Sequence, residues 1–154
     1  MVKPLPHKEY FEGVLQLRDM NEDILPWIEE QTIRDDKAIV TKASKVRGGS
    51  DLLFSSQKYL RQIGTKIKEK FSGQLTETRS LHTTARDGSN LYRVTVLFRQ
   101  LPFKEGETVK YHNKEYLVLR IRDRAELQDV KTQKKQWVRL EYLGDRRRTS
   151  VSRF

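Results

Sequence analysis

The chain has 154 residues, 36% of them hydrophobic and 34% charged, with a formal net charge of +10 and no cysteine. That apolar content excludes wholesale disorder, and the missing cysteines exclude a disulfide framework, thiol chemistry and cysteine-ligated zinc. No run of about 18 apolar residues is present, which excludes a helical membrane span, and Met1-Val2-Lys3-Pro4 lacks the apolar stretch of a signal peptide.

The charge is segregated. Met1–Asp36 carries a net −5, Lys37–Arg99 a net +9 and Gln100–Phe154 a net +6. Like charges at this density repel one another in a folded domain and are stabilised by a polyanion, of which RNA is the commonest in cytoplasm. The expectation is a cytoplasmic, monomeric protein.

Glu9–Leu17 alternates as a strand. Asn21 or Asp23 is placed to cap a helix running to about Arg34, with Pro26 in its first turns and Ile24, Trp27, Ile28 and Gln31 or Thr32 as its apolar stripe. Lys37–Val46 reads as a strand centred on Ile39 and Val40, Arg47–Ser50 as a turn and Asp51–Phe54 as a short strand. Ser55 or Ser56 then caps a helix to Phe71, whose Leu60, Ile63, Ile67 and Phe71 recur at the spacing of a buried face. Gln74–Ala85 and Leu91–Arg99 form a hairpin about Asp87-Gly88. In its second strand Tyr92, Val94, Val96 and Phe98 share one face, while Arg93, Thr95 and Arg99 share the other. This order predicts two helices on one side of a mostly antiparallel sheet over residues 1–100.

From Pro102 onward the elements are short strands: Glu107–Tyr111, Glu115–Arg122, Arg124–Val130 and Lys135–Leu143. Their even spacing predicts a small SH3-like or OB-like β-barrel over residues 101–144, and residues 145–154, with Arg146-Arg147-Arg148, are expected to be a disordered basic tail. The fold class is therefore α+β.

Catalytic motifs are missing. His7, His82 and His112 lie in separate segments without metal-ligand spacing, Gly48-Gly49 lacks the following Lys-Ser/Thr of a phosphate loop, and no nucleophile is paired with a base. No metal, cofactor, small-molecule substrate or membrane is expected. The candidate RNA-binding residues are Lys42, Lys45, Arg47, Lys58, Arg61, Arg79, Arg93 and Arg99, with Arg79, Arg93 and Arg99 expected on the open face of the sheet and Lys42, Lys45 and Arg47 nearby. Lys and Arg there neutralise phosphates and fix position without reading sequence. With few aromatic side chains on that face, a shaped RNA or ribonucleoprotein surface suits them better than single-stranded reading.

Tyr10–Arg18, Arg47–Phe54, Ser80–Thr84 and Tyr92–Val96 resemble, in order and spacing, the nonsense-mediated mRNA decay protein 3 family. Its eukaryotic members are nuclear export adaptors of the large ribosomal subunit. The resemblance implies a ribosomal-protein-like α/β domain followed by a barrel similar to the N-terminal one of translation factor 5A, with Gly106–Tyr111, Lys114–Leu119 and Leu127–Thr132 matching that barrel's strands. The factor's lysine-bearing loop would fall near Arg122-Asp123-Arg124 and is absent, so its activity does not carry over. The family begins with cysteine-rich zinc units, so the expectation is an archaeal-type member without that part, either an excised piece or a short protein. The resemblance implies rRNA and large-subunit ribosomal proteins as partners, in subunit maturation or protection. A general RNA-binding or translation-factor-like protein, and an RNA-processing enzyme using acidic residues of the first helix, are the alternatives.

Overall fold

A computed structural model describes residues 2, 4–84, 86–143 and 149–152. It is a mixed α+β chain that divides into two units, one formed by residues 1–71 and 75–98 and the other by residues 72–74 and 99–154. No helix among the described residues is long and apolar enough to cross a membrane.

The first unit contains β1 (Gly13–Arg18), α1 (Ile24–Asp35), β2 (Val40–Val46), β3 (Gly49–Phe54), α2 (Gln57–Lys70) and all but the ends of β4 (Gly73–Thr84) and β5 (Asn90–Gln100), whose residues 73–74 and 99–100 fall in the second unit. Its sheet has the order β2-β3-β1-β5-β4, with β1–β3 and β2–β3 antiparallel. Alternation sends Leu15, Leu17, Leu52, Phe54, Val94, Val96 and Phe98 to one face, where they form a single core with Ile24 and Ile28 of α1 and Leu60, Ile63 and Ile67 of α2. Trp27 of α1 meets Phe71 edge-on at 5.5 Å.

Helix α2 starts where its sequence marks it. Ser56 is extended and its side chain accepts a hydrogen bond from the Tyr59 N–H at 3.2 Å, and Glu12 Oε1 accepts another from the Gln57 N–H at 2.9 Å. Two of the otherwise free N-terminal N–H groups are thereby satisfied. Helix α1 differs: Asp23 precedes it in helical conformation and makes no side-chain cap. Two further expectations are corrected. The strand expected over Lys37–Val46 and centred on Ile39 and Val40 begins only at Val40; Ile39 lies before it, 42% exposed, with its N–H held by Ser55 Oγ at 2.8 Å. Tyr92 shares the parity of Val94 yet is exposed, because every described residue from Thr76 to Tyr92 is exposed. The outer half of the β4–β5 hairpin thus lies outside the packed core.

The second unit contains β6 (Thr108–Tyr111), β7 (Lys114–Ile121), β8 (Arg124–Asp129), β9 (Lys135–Arg139), the short α3 (Leu140–Leu143) and β10 (Thr149–Ser152). His112 and Asn113 both have positive φ, the conformation of a two-residue turn matched to strand twist. Val109, Tyr111, Tyr116, Val118, Ala125, Leu127 and Val138 pack with Leu101, Phe103, Leu140 and Leu143. The sheet order is β10-β6-β7-β8-β9. Here the barrel expectation is corrected: β9 and β10 are the two edges of an open sheet, and no pairing among the described residues closes it. The last strand also stops at Arg139, where expectation ran it to Leu143, because Leu140 and Leu143 turn into the core as one helical turn. Where a structureless tail was expected, Thr149–Ser152 pair with β6. Arg146, Arg147 and Arg148 lie outside the described residues.

Candidate nucleic-acid interface

The first unit's sheet has a second face, away from the helices. The strand register places Lys42 opposite Leu53 and Val14, and Ser44 opposite Asp51 and Gln16, on that face. Arg93, Thr95 and Leu97 of β5 alternate with the buried Val94, Val96 and Phe98 and share it. Two of its cations are already engaged. Arg18 Nη1 donates to Asp51 Oδ1 at 2.8 Å. Arg93 lies over the Phe11 ring at 3.7 Å from its centroid, and its buried Nε has no hydrogen-bond partner among the described residues. Phe11 was missed as a functional neighbour by sequence reasoning. Sequence reasoning ran the strand from Glu9 and set Phe11 within it; β1 begins only at Gly13, and Phe11 lies before it against Arg93.

Of Arg79, Arg93 and Arg99, expected together on this face, Arg79 departs from it. Arg79 shares the parity of Leu75 and Glu77, and both of those meet α2: Leu75 packs beside Gly64, and Glu77 Oε1 accepts from Arg61 Nε at 2.8 Å. Arg79 therefore belongs to the helix side of the sheet, opposite Arg93. Successive contacts descend α2 as β4 ascends, from Gly64 with Leu75 to Arg61 with Glu77. Lys58 and Arg79 are exposed, whereas Arg61 is half-buried and ion-paired.

Lys45 and Arg47 form a separate group at the end of the β2–β3 hairpin, both exposed, with Lys45 opposite Ser50 and Arg47 in the turn. Because β2 is a sheet edge, Lys42 and Lys45 also discourage another strand from pairing there. Arg99 falls in the second unit. The eight candidates thus divide into the β2–β3 hairpin (Lys42, Lys45, Arg47), the α2–β4 side (Lys58, Arg61, Arg79), the open face (Arg93) and the second unit (Arg99).

The acidic residues of α1 do not converge on a reaction centre. Glu30 pairs with Arg34 at 2.8 Å and Glu29 is exposed. Asp35 Oδ2 accepts from both Lys66 Nζ and the Tyr59 hydroxyl at 2.8 Å. The Lys66 and Tyr59 hydrogen bonds hold the Asp35 carboxyl below its ordinary value of 3.8, while burial and Asp35 itself push the Tyr59 hydroxyl up. A carboxyl depressed in the folded state contributes stability that is present above its unfolded value and is lost as the pH falls through its folded value. Asp35→Asn is therefore expected to lower the melting temperature at neutral pH, and the gap from the wild type should close on acidification below 3.8. A gap that is unchanged in acid would remove Asp35 from the node joining α1 to α2.

Among the described residues no three His, Asp or Glu side chains are grouped to hold a metal. His7 meets Tyr10 edge-on at 6.0 Å, His112 meets Tyr111 at 4.1 Å, and His82 is exposed on β4. This arrangement suits electrostatic contact with an extended polyanion: exposed cations on two separate parts of the first unit.

Residues 10–99 match the family model described as NMD3, second domain. The match covers β1 through nearly all of β5 and includes every one of the eight candidate cations. No curated protein matches the chain.

Proposed function

We propose that this chain, which belongs to the NMD3 family, is a non-enzymatic, monomeric RNA- and ribonucleoprotein-binding module that acts with the large ribosomal subunit, in its maturation or protection, in the cytoplasm. The observation that carries the reading is a coincidence of position. The stretch with a net +9, Lys37–Arg99, lies inside the family match, and five of the eight candidate cations (Lys42, Lys45, Arg47, Lys58 and Arg79) are exposed on the first unit. Such cations neutralise phosphates and set the register of the protein on RNA, leaving sequence unread. In this reading rRNA supplies the polyanion, and large-subunit ribosomal proteins supply the remaining surface.

Affinity capture of the full chain from cell extract, followed by identification of RNA and protein, tests the proposal. Large-subunit rRNA together with its proteins is the expected catch. Recovery of mixed cellular RNA without ribosomal proteins would favour a general RNA-binding protein instead.

A further inference from the structure

Strands β8 and β9 carry a second arrangement that the first unit does not need. Ala125, Leu127 and Val138 point into the core, so Arg124, Glu126, Lys135, Trp137 and Arg139 occupy the other face of the sheet. The register sets Arg139 directly opposite Arg124 and Trp137 directly opposite Glu126. Directly opposed side chains have Cβ atoms about 4.5–5.5 Å apart, and like charges placed so are destabilising. Arg124 and Arg139 are both exposed, and among the described residues neither forms an ion pair. Glu126 shares this face, with Arg120 in register with it on β7. Trp137 is 48% exposed on the edge strand. Among the described residues, two guanidinium groups without an ion pair thus share one face with a half-exposed indole.

We infer that this face binds an unpaired nucleotide of single-stranded RNA, with the Arg124–Arg139 pair on its phosphate and the Trp137 indole stacked on its base. A phosphate accepts hydrogen bonds from two guanidinium groups at once and removes their repulsion. Trp137 lies two residues from Arg139 along the strand, about 6.8 Å, which is within reach of the base of the same nucleotide. Lys135 lies the same distance beyond Trp137 and meets the next phosphate, so β9 presents cation, aromatic, cation in phosphate–base–phosphate order. A base paired in a helix hides its faces, so the occupant is unpaired. Charge complementarity favours RNA over an acidic protein segment because the indole between the cations demands a flat π-face. The inference rests on the RNA-binding reading above but concerns a different surface.

The test uses the full chain, with tryptophan fluorescence and affinity measured against an oligouridine about eight nucleotides long, a length typical of single-strand sites. A duplex RNA with the same number of phosphates is the comparison. Oligouridine is expected to quench Trp137, and the duplex to leave it unquenched, with the half-buried Trp27 as a constant background. Trp137→Ala should weaken oligouridine binding roughly 5- to 150-fold, the worth of one stacked base, and Trp137→Phe should restore most of it. Arg124→Ala/Arg139→Ala should flatten the salt slope by about 1.4, two single-strand contacts, without lowering the melting temperature, because it removes a repulsion. RNA binding that is salt-sensitive but indifferent to all three variants would overturn this inference alone and give the face to a protein partner. No binding of either RNA at low salt would overturn it together with the functional proposal.

Discussion

A fourfold rise in salt is expected to weaken RNA binding by roughly 50- to 2000-fold, if about four to six cations engage phosphates at slopes of about 0.7 to 0.9 each. Each neutralised phosphate releases condensed counterion to solution, so affinity falls as a power of salt concentration. The structure supplies enough cations for this range: Lys42, Lys45, Arg47, Lys58 and Arg79 are all exposed on the first unit. It also selects the informative variants. Arg93 is a poor probe, because it is half-buried against Phe11 and its removal disturbs packing as well as charge. Lys58→Ala/Arg79→Ala removes two exposed charges and should flatten the slope by about 1.4 to 1.8, with little effect on stability. Glu29→Gln/Glu30→Gln should leave the slope unchanged. Filter retention across a salt series reads all three, and a slope lost only in the acidic variant would shift the site to α1.

The second large effect concerns stability. Gly49→Ala is expected to cost about 3 kcal/mol or more, the upper end of overpacking, and to lower the melting temperature by roughly 12 to 24 °C on the scale of a domain this size. A Cβ on Gly49 would lie 1.7 Å from the Leu17 carbonyl oxygen, where β3 meets β1. That neighbour is backbone and cannot rotate away. Gly48, one residue earlier, has nothing within 4 Å of its Cβ position but a φ of +82°, so Gly48→Ala should cost only about 1 to 2 kcal/mol. Thermal unfolding of the two variants separates close approach from conformational freedom at adjacent glycines. Equal effects would contradict the β1–β3 register.

The first unit was largely legible in the sequence because its signals agree. The spacing of Leu60, Ile63 and Ile67 and the alternation of Val94, Val96 and Phe98 each specify one face, and both faces meet in one core. What could not be read was which face of β4 carries Arg79. Thr76–Thr84 has too few apolar residues to set a parity, and only the Leu75 and Glu77 contacts with α2 fix it. Ile39 misled because apolar character does not distinguish the centre of a strand from the approach to it; the Ser55 hydroxyl decides that. In the second unit the strands were readable from alternation and turn residues, but closure was not. Whether two edges meet depends on long-range pairing that no local pattern carries. The exposed Trp137 was legible in principle, since an inward Val138 forces its neighbour outward. Sequence reasoning missed it because aromatic side chains were weighed only on the first unit's sheet face.

Co-sedimentation of the full chain with purified ribosomal subunits tests the central proposal most directly, with large subunits, small subunits and an RNA duplex of matched phosphate concentration compared at one fixed salt. The chain is expected to pellet with large subunits in preference to the other two, and Lys58→Ala/Arg79→Ala to weaken the association. Equal binding to all three, or binding to large subunits that neither salt nor the double variant changes, would contradict it.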